Sequence, residues 1–234
     1  MAERPVCAVL GIGPGNGQAF ARRFGDDGYA VALLSRSTDL SEKIASELPE
    51  AKAFACDVSD PASIAEAFGA VREQLGDVDV LLFNVGSGVF GTIDEISAEQ
   101  FELAWQINCR GLYLTAKEVI GPMRDKGEGK ILITGATASL RGKPFTTAFA
   151  SAKAAQRSLA QSLARQLGPE GIHVALVIVD GMVDLPRTRE QMPDKDDEEF
   201  LQPDHIADAM AYLARQPRSA WSFELDVRPF VEQW

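Results

Sequence analysis

The residues best suited to chemistry in this 234-residue chain form a glycine turn, GIGPGNG, at residues 11–17. It stands where an apolar run of strand length hands over to a segment of helical period. The spacing is Gly11-x-x-x-Gly15-x-Gly17, with Gly13, Pro14 and Asn16 between. Glycines there allow a tight turn and close approach of a pyrophosphate, and the helix start supplies unpaired N–H groups and the positive end of its dipole. The spacing is not G-x-G-x-x-G, and it is not a P-loop, since no Gly-Lys-Ser/Thr follows. About 20 residues on, where a ribose partner belongs, the next apolar run ends in Ser35-Arg36. An acidic residue there would accept from the 2′-hydroxyl of NAD. A small hydroxyl followed by a guanidinium suits a 2′-phosphate instead, so NADP(H) is expected in preference to NAD(H).

These residues need elements to hold them. PVCAVLGIG, YAVALLSR, AKAFACDV, VDVLLFNVG, GKILITGA, GIHVALVIVDG and SAWSFELDV read as seven strands. Helical segments lie between them: from Asn16, around 39–48, from Pro61, over 97–126, over 146–167, and from Pro203 to about Ala214. Apolar strands alternating with helices indicate a parallel sheet covered on both faces. Right-handed crossovers then give a single-domain α/β protein, a Rossmann-like doubly wound fold over residues 1–234. The longest stretch without a period, about residues 181–202, is expected to be a lid loop over the substrate. Residues 228–234 form a C-terminal tail.

Composition narrows the function classes. With 34 acidic and 23 basic residues the net charge is −11. No basic stripe is visible to neutralise phosphates, which argues against nucleic acid as a partner. The acidic run PDKDDEEF, residues 193–200, reads as a solvated face. No apolar run approaches the ~20 residues that span a bilayer, and the N-terminus has no signal-peptide pattern, so a cytoplasmic protein is expected. Cys7, Cys56 and Cys109 fit no zinc spacing, and His173 and His205 stand far apart. No metal site is expected, and the thiols read as reduced and structural.

In order and spacing, the motifs make the chain similar to the short-chain dehydrogenase/reductase family over nearly its whole length. Gly11-x-x-x-Gly15-x-Gly17 matches that family's glycine motif. Asp57-Val58 in CDVSD matches its adenine-contacting pair. FNVG, residues 83–86, matches its Asn-Asn-Ala-Gly, with Asn84 and Gly86 retained around Val85. Asn108 in INCRG falls at the proton-relay asparagine, and Lys153 in AFASAK at the lysine of Tyr-x-x-x-Lys. Gly181 retains the glycine of the turn after the sixth strand, which runs on through Met182 and Val183. The resemblance implies that these positions, with Ser35 and Arg36, surround the dinucleotide. It implies that Lys153 also holds the nicotinamide ribose, and that the chain assembles as a homodimer or homotetramer.

The departures fall on the chemistry. The family's tyrosine is Phe149, its serine, 13 residues earlier, is Ala136, and a threonine common after the turn is Leu185. Of the four usual catalytic positions, Asn108 and Lys153 remain. Phenylalanine keeps the ring and loses the proton, so ordinary ketone reduction should lose the ~10²–10⁴-fold that a general acid supplies. Thr137, Ser139, Thr146 and Ser151 are nearby hydroxyls, but poor acids. Lys153, through water held by Asn108, is the better remaining proton source. Phe90, Phe149, Met182 and Leu185, with Val183 and Ala136, would line an apolar pocket, which points to a small apolar molecule. Two readings stay open. One is an NADP(H)-dependent oxidoreductase with altered proton delivery, acting on an iminium or an activated double bond. The other is a catalytically silent NADP(H)-binding protein serving as a sensor or oligomer partner. Phe230 and Trp234 in the tail would either extend a subunit interface or pack on their own subunit.

Overall fold

Five consecutive apolar residues, Val6–Leu10, form β1 and are buried throughout, as a strand must be when helices cover both faces of its sheet. The computed structural model describes residues 4–233, and Trp234 of the tail lies outside the described residues. The glycine turn leads into α1 (Asn16–Asp26), which buries Ala19, Phe20 and Phe24 at helical spacing. Then follow β2 (Ala30–Ser35), α2 (Asp39–Glu47), β3 (Ala51–Ala55), α3 (Pro61–Gln74) and β4 (Val78–Phe83). α3 starts where it does because the Asp60 side chain accepts from the Ala62 N–H and Pro61 takes the first helical position, where no N–H is needed. α4 (Ala98–Trp105) starts on a Ser97–Gln100 capping box. A π turn, Gln106–Arg110, joins it to α5 (Gly111–Lys126). The remaining elements are β5 (Gly129–Thr134), α6 (Thr147–Leu167), β6 (Ile172–Val179), β7 (Met182–Val183), α7 (Pro186–Gln191), β8 (Phe200–Leu201), α8 (Pro203–Ala214) and β9 (Glu224–Val227).

Seven strands pair in the order β3-β2-β1-β4-β5-β6-β9, all parallel. One apolar layer packs α3, α5 and α6 on the sheet through Phe68, Val71, Leu112, Val119 and Leu167. The other packs α1, α2 and α8 through Phe20, Phe24, Ile44, Ile206 and Met210. The chain works outward from β1 to β3 and then returns to lay β4 on the other side of β1. Loops at the carboxyl ends of β1 and β4 therefore part, and a crevice opens between them. No helix among the described residues is long and apolar enough to cross a membrane.

The stretch 181–202 corrects the expectation of an irregular loop. β7 pairs with β8 in parallel, Met182 with Phe200 and Val183 with Leu201, and α7 lies between them. Side chains make this order. Arg189 grips both oxygens of Asp184 at 2.7 and 2.8 Å, reaches Asp197 at 2.7 Å, and lies 4.0 Å above the Phe200 ring. Gln202 donates to Asp184 at 3.0 Å. The Arg189 hydrogen bonds, joined by that of Gln202, push the Asp184 carboxyl down to about 2. In the tail, Pro229 packs on Gly181 and Phe230 is exposed.

Candidate active site

The crevice between β1 and β4 is a cleft of 470 Å³. Gly11 and Ile12 after β1, Ser35 at the end of β2 with Arg36 after it, and Asp57 to Ser59 after β3 form one side. Asn84 to Val89 after β4, with Leu103 and Ile107, form the other. Two glycines are required in its floor. Gly11 has φ +88°, a conformation that L side chains rarely adopt, and a Cβ on Gly17 would strike the Gly11 carbonyl. The Asn84 side chain donates to that same carbonyl at 3.0 Å, so its amide fastens the turn to the end of β4.

Beside the ends of β2 and β3, Asp57 accepts from the Ser59 hydroxyl at 2.7 Å and the Ser59 N–H at 2.9 Å. Those bonds, helped by the charge of Arg36, hold its carboxyl below the usual range. Ser35 Oγ donates to the Ser37 carbonyl at 2.7 Å and meets Ser41 Oγ at 2.6 Å. Arg36 is exposed at the rim and makes no hydrogen bond to the described residues. The open cleft stops short of Gly13, Pro14 and Gly15. There the Leu185 side chain lies on Gly15, where it would collide with any Cβ. Asn16 opens α1 with a buried Oδ1 that has no partner among the described residues.

Across the cleft, α6 carries Phe149 and Lys153 on one face, four residues apart. Lys153 is buried, and its ammonium donates to the Thr134 carbonyl at 2.9 Å and to Gln156 Oε1 at 3.1 Å. Gln156 Nε2 donates in turn to the main-chain carbonyl of Asn108 at 3.0 Å. Asn108 sits inside the π turn, whose wider ring disturbs the ordinary i→i−4 ladder. Its side-chain Nδ2 donates to the Ala104 carbonyl at 2.8 Å and Ser87 Oγ at 3.0 Å, and its buried Oδ1 has no partner among the described residues. Burial with no offsetting charge pushes the Lys153 ammonium down to about 7.

That depression has a definite sign in stability. The unfolded lysine titrates near 10.5, so between 7 and 10.5 the unfolded chain binds more protons than the native one. Stability therefore rises with pH in that window. Lys153 should contribute a slope of up to about 1.4 kcal/mol per pH unit. Urea titrations between about pH 7.5 and 9 should show this slope in the wild type and lose it in Lys153→Met.

Thr137, Ser139, Thr146 and Ser151, near Ala136 and Phe149, are engaged within the protein, whereas the buried Thr134 hydroxyl has no partner among the described residues. Ser139 Oγ accepts from the Ala136 N–H at 3.1 Å, and Thr137 donates to buried Asp180 at 2.5 Å. Thr146 bonds the Lys143 N–H and carbonyl at 2.7 and 2.9 Å, and Ser151 donates to the Thr147 carbonyl at 2.8 Å. Asp180 also faces Arg141 at 3.3 Å and Arg228 at 3.5 Å. Of the expected apolar wall, Phe90 and Phe149 do meet, with ring centroids 4.9 Å apart and planes tilted 48°. Val183 packs into the layer beneath α1 and α8, Met182 pairs with Phe200, and Leu185 covers the glycine turn. Gln156 and Ser87 join the site without any motif to announce them. The available signal for Gln156 was a polar residue four positions from both Ala152 and Ala160, inside a buried helical stripe.

Comparison with known proteins agrees with this geometry. Residues 5–196 match the family model described as short chain dehydrogenase, and the chain belongs to that family of oxidoreductases. Among its relatives, the short-chain dehydrogenase/reductase eriH of Hericium erinaceus is 32% identical over 197 residues, 80% of this chain and 78% of that one. A solved short-chain dehydrogenase from Rhodopseudomonas palustris superposes with a TM-score of 0.83 at 32% identity, covering 97% of this chain and 99% of the other. The alcohol dehydrogenase of the archaeon Thermococcus sibiricus, complexed with 5-hydroxy-NADP, superposes with a TM-score of 0.87 at 31% identity over 99% of both chains.

Proposed function

We propose that the protein is an NADP(H)-dependent oxidoreductase that works without a tyrosine acid. Its acceptor would be a small apolar molecule whose reacting atom needs no strong proton donor, such as an iminium or an activated double bond. One contrast carries this reading. The cleft at the β1–β4 reversal keeps its glycine turn, Arg36 and Asp57, while the proton-donating positions hold Phe149 and Ala136.

The residues present fit the cofactor. Arg36 would take the 2′-phosphate, and Asp57 with Val58 the adenine end. The first turn of α1 offers N–H groups without helical partners to a diphosphate. The orphaned Asn16 Oδ1 beside that turn is an acceptor, so it would take a hydrogen bond from a cofactor hydroxyl and not from the diphosphate. Lys153 commits two of its three donors within the protein and keeps one for a ribose hydroxyl. The bound cofactor would supply the hydride. Phe149 and Phe90 would exclude water above it and offer an apolar surface to the acceptor. The 5-hydroxy-NADP complex of the Thermococcus sibiricus relative supports the same cofactor choice here.

Calorimetric titration should show NADPH binding tighter than NADH. NADPH oxidation should then be followed against a panel of ketones, imines and enones. Turnover with imines or enones and little with ketones is the expected result. Tight NADPH binding with no turnover on any class would leave the cofactor assignment and replace the enzyme with a sensor or oligomer partner. Tighter NADH binding would overturn the assignment of Arg36.

A further inference from the structure

Gln156 is wholly buried on a helix face otherwise built of alanines, Ala152 and Ala160. Its carboxamide makes two bonds of opposite sense, accepting from Lys153 and donating to the Asn108 carbonyl. These bonds fix its orientation. Turned over, it would set oxygen against the Asn108 carbonyl and NH₂ against the ammonium. Lys153 is thus tied to β5 through Thr134, and through Gln156 to the π turn. The groups that face it from β5, the π turn and α6 are Thr134, Asn108 and Gln156, all uncharged.

A water passing protons between Asn108 and Lys153 would have to lie where this amide lies. A carboxamide has no proton that titrates near neutral pH. It holds the ammonium and hands nothing on.

We propose that Gln156 is a positioning residue that stands in place of a proton-relaying water, fixing the Lys153 ammonium and closing the route from Asn108 to it. The inference rests on the reading of this site as one derived for hydride transfer. It adds a third element to the change in chemistry. Phe149 removes the acid, Ala136 removes the polarising hydroxyl, and Gln156 removes the resupply of protons. Lys153 then serves beside the cofactor as a held hydrogen-bond donor, charged only below about pH 7, rather than as a link in a proton relay. The lowered pKa of that ammonium agrees with a bridge that is neutral.

The test follows the Lys153 ammonium protons by NMR in the full chain labelled with 15N-lysine, with neither cofactor nor substrate added. In the wild type they should exchange with water on the order of 100-fold more slowly than those of exposed lysines. Gln156→Ala leaves room for water and should speed this exchange by at least roughly 10-fold. Gln156→Glu should raise the Lys153 pKa toward the ordinary lysine range, because it places an opposite charge at the same atom. Core amide exchange in the same samples reports global opening, so a merely destabilised variant would speed every site together. Wild-type exchange as fast as that of exposed lysines would overturn the proposal. So would equal Lys153 rates in the wild type and Gln156→Ala after correction for opening. If Gln156→Ala fails to fold, Gln156→Met breaks the bridge at similar size, and unchanged protection there overturns it equally. Failure to bind NADPH would sink the functional reading and leave this result standing.

Discussion

Phe149→Tyr combined with Ala136→Ser should raise kcat/KM for reduction of an aromatic ketone by ~10²–10⁴-fold, the worth of a positioned general acid. The geometry to use these groups is already in place. Position 149 lies four residues before Lys153 on α6, so a phenol there shares a helix face with the ammonium. A protonated Lys153 would favour the phenolate and bring the phenol's pKa down toward the working pH. Ala136 is extended, and its neighbour Thr137 turns toward Asp180. The two groups act as a unit, so their effects will not add. Because Gln156 closes the relay, the double variant should reach the lower end of the range. Adding Gln156→Ala should then lift it by roughly a further 10-fold. Steady-state kinetics decide the matter. A double variant that binds NADPH and still reduces ketones at the wild-type level would show that something beyond acid and polariser is missing.

Arg36→Asp should weaken NADPH binding by about 100-fold, since charge-assisted hydrogen bonds contribute about 1.5–3 kcal/mol and the substitution adds repulsion. NADH should bind more tightly to the same variant, because the carboxylate can accept from the 2′-hydroxyl. Ser35 will not compensate, as its hydroxyl is held by Ser37 and Ser41. Arg36 is exposed, so the wild-type preference should shrink as ionic strength rises. Titration calorimetry of both nucleotides at two salt concentrations reads all of this. Unchanged NADPH affinity in Arg36→Asp would place the phosphate elsewhere.

The sheet and its helices were legible because burial on both faces writes itself into composition. Val6–Leu10 and Ile172–Val179 carry no polar side chain except His173, and Phe20 and Phe24 mark the inner face of α1. The glycine turn was legible for a steric reason: Gly17 leaves no room for a Cβ. The order within 181–202 was not, because two-residue strands have no period and the Arg189–Asp184 clamp is a matter of side-chain reach. Asn84 could be placed at the cleft but not given its partner, since the Gly11 carbonyl it fastens lies 73 residues away. The Gln156 bridge escaped for the same reason. Its two ends lie on α6 and in the π turn, and only the packing of those helices joins them.

Leu185 on Gly15 has a thermodynamic consequence of its own. Glycine at that place lets a diphosphate approach the backbone, and an aliphatic side chain now occupies the approach. If the diphosphate binds there as proposed, the chain carries its own competitor for the cofactor. Whatever free energy the Asp184–Arg189 clamp gives to the closed arrangement is subtracted from nucleotide affinity. A loop closed 99 times in 100 would weaken the apparent affinity by about 100-fold without altering a single contact in the filled site. If Arg36 holds the 2′-phosphate as proposed, nucleotide selectivity would be set there and affinity in part at Leu185, and the two could change independently.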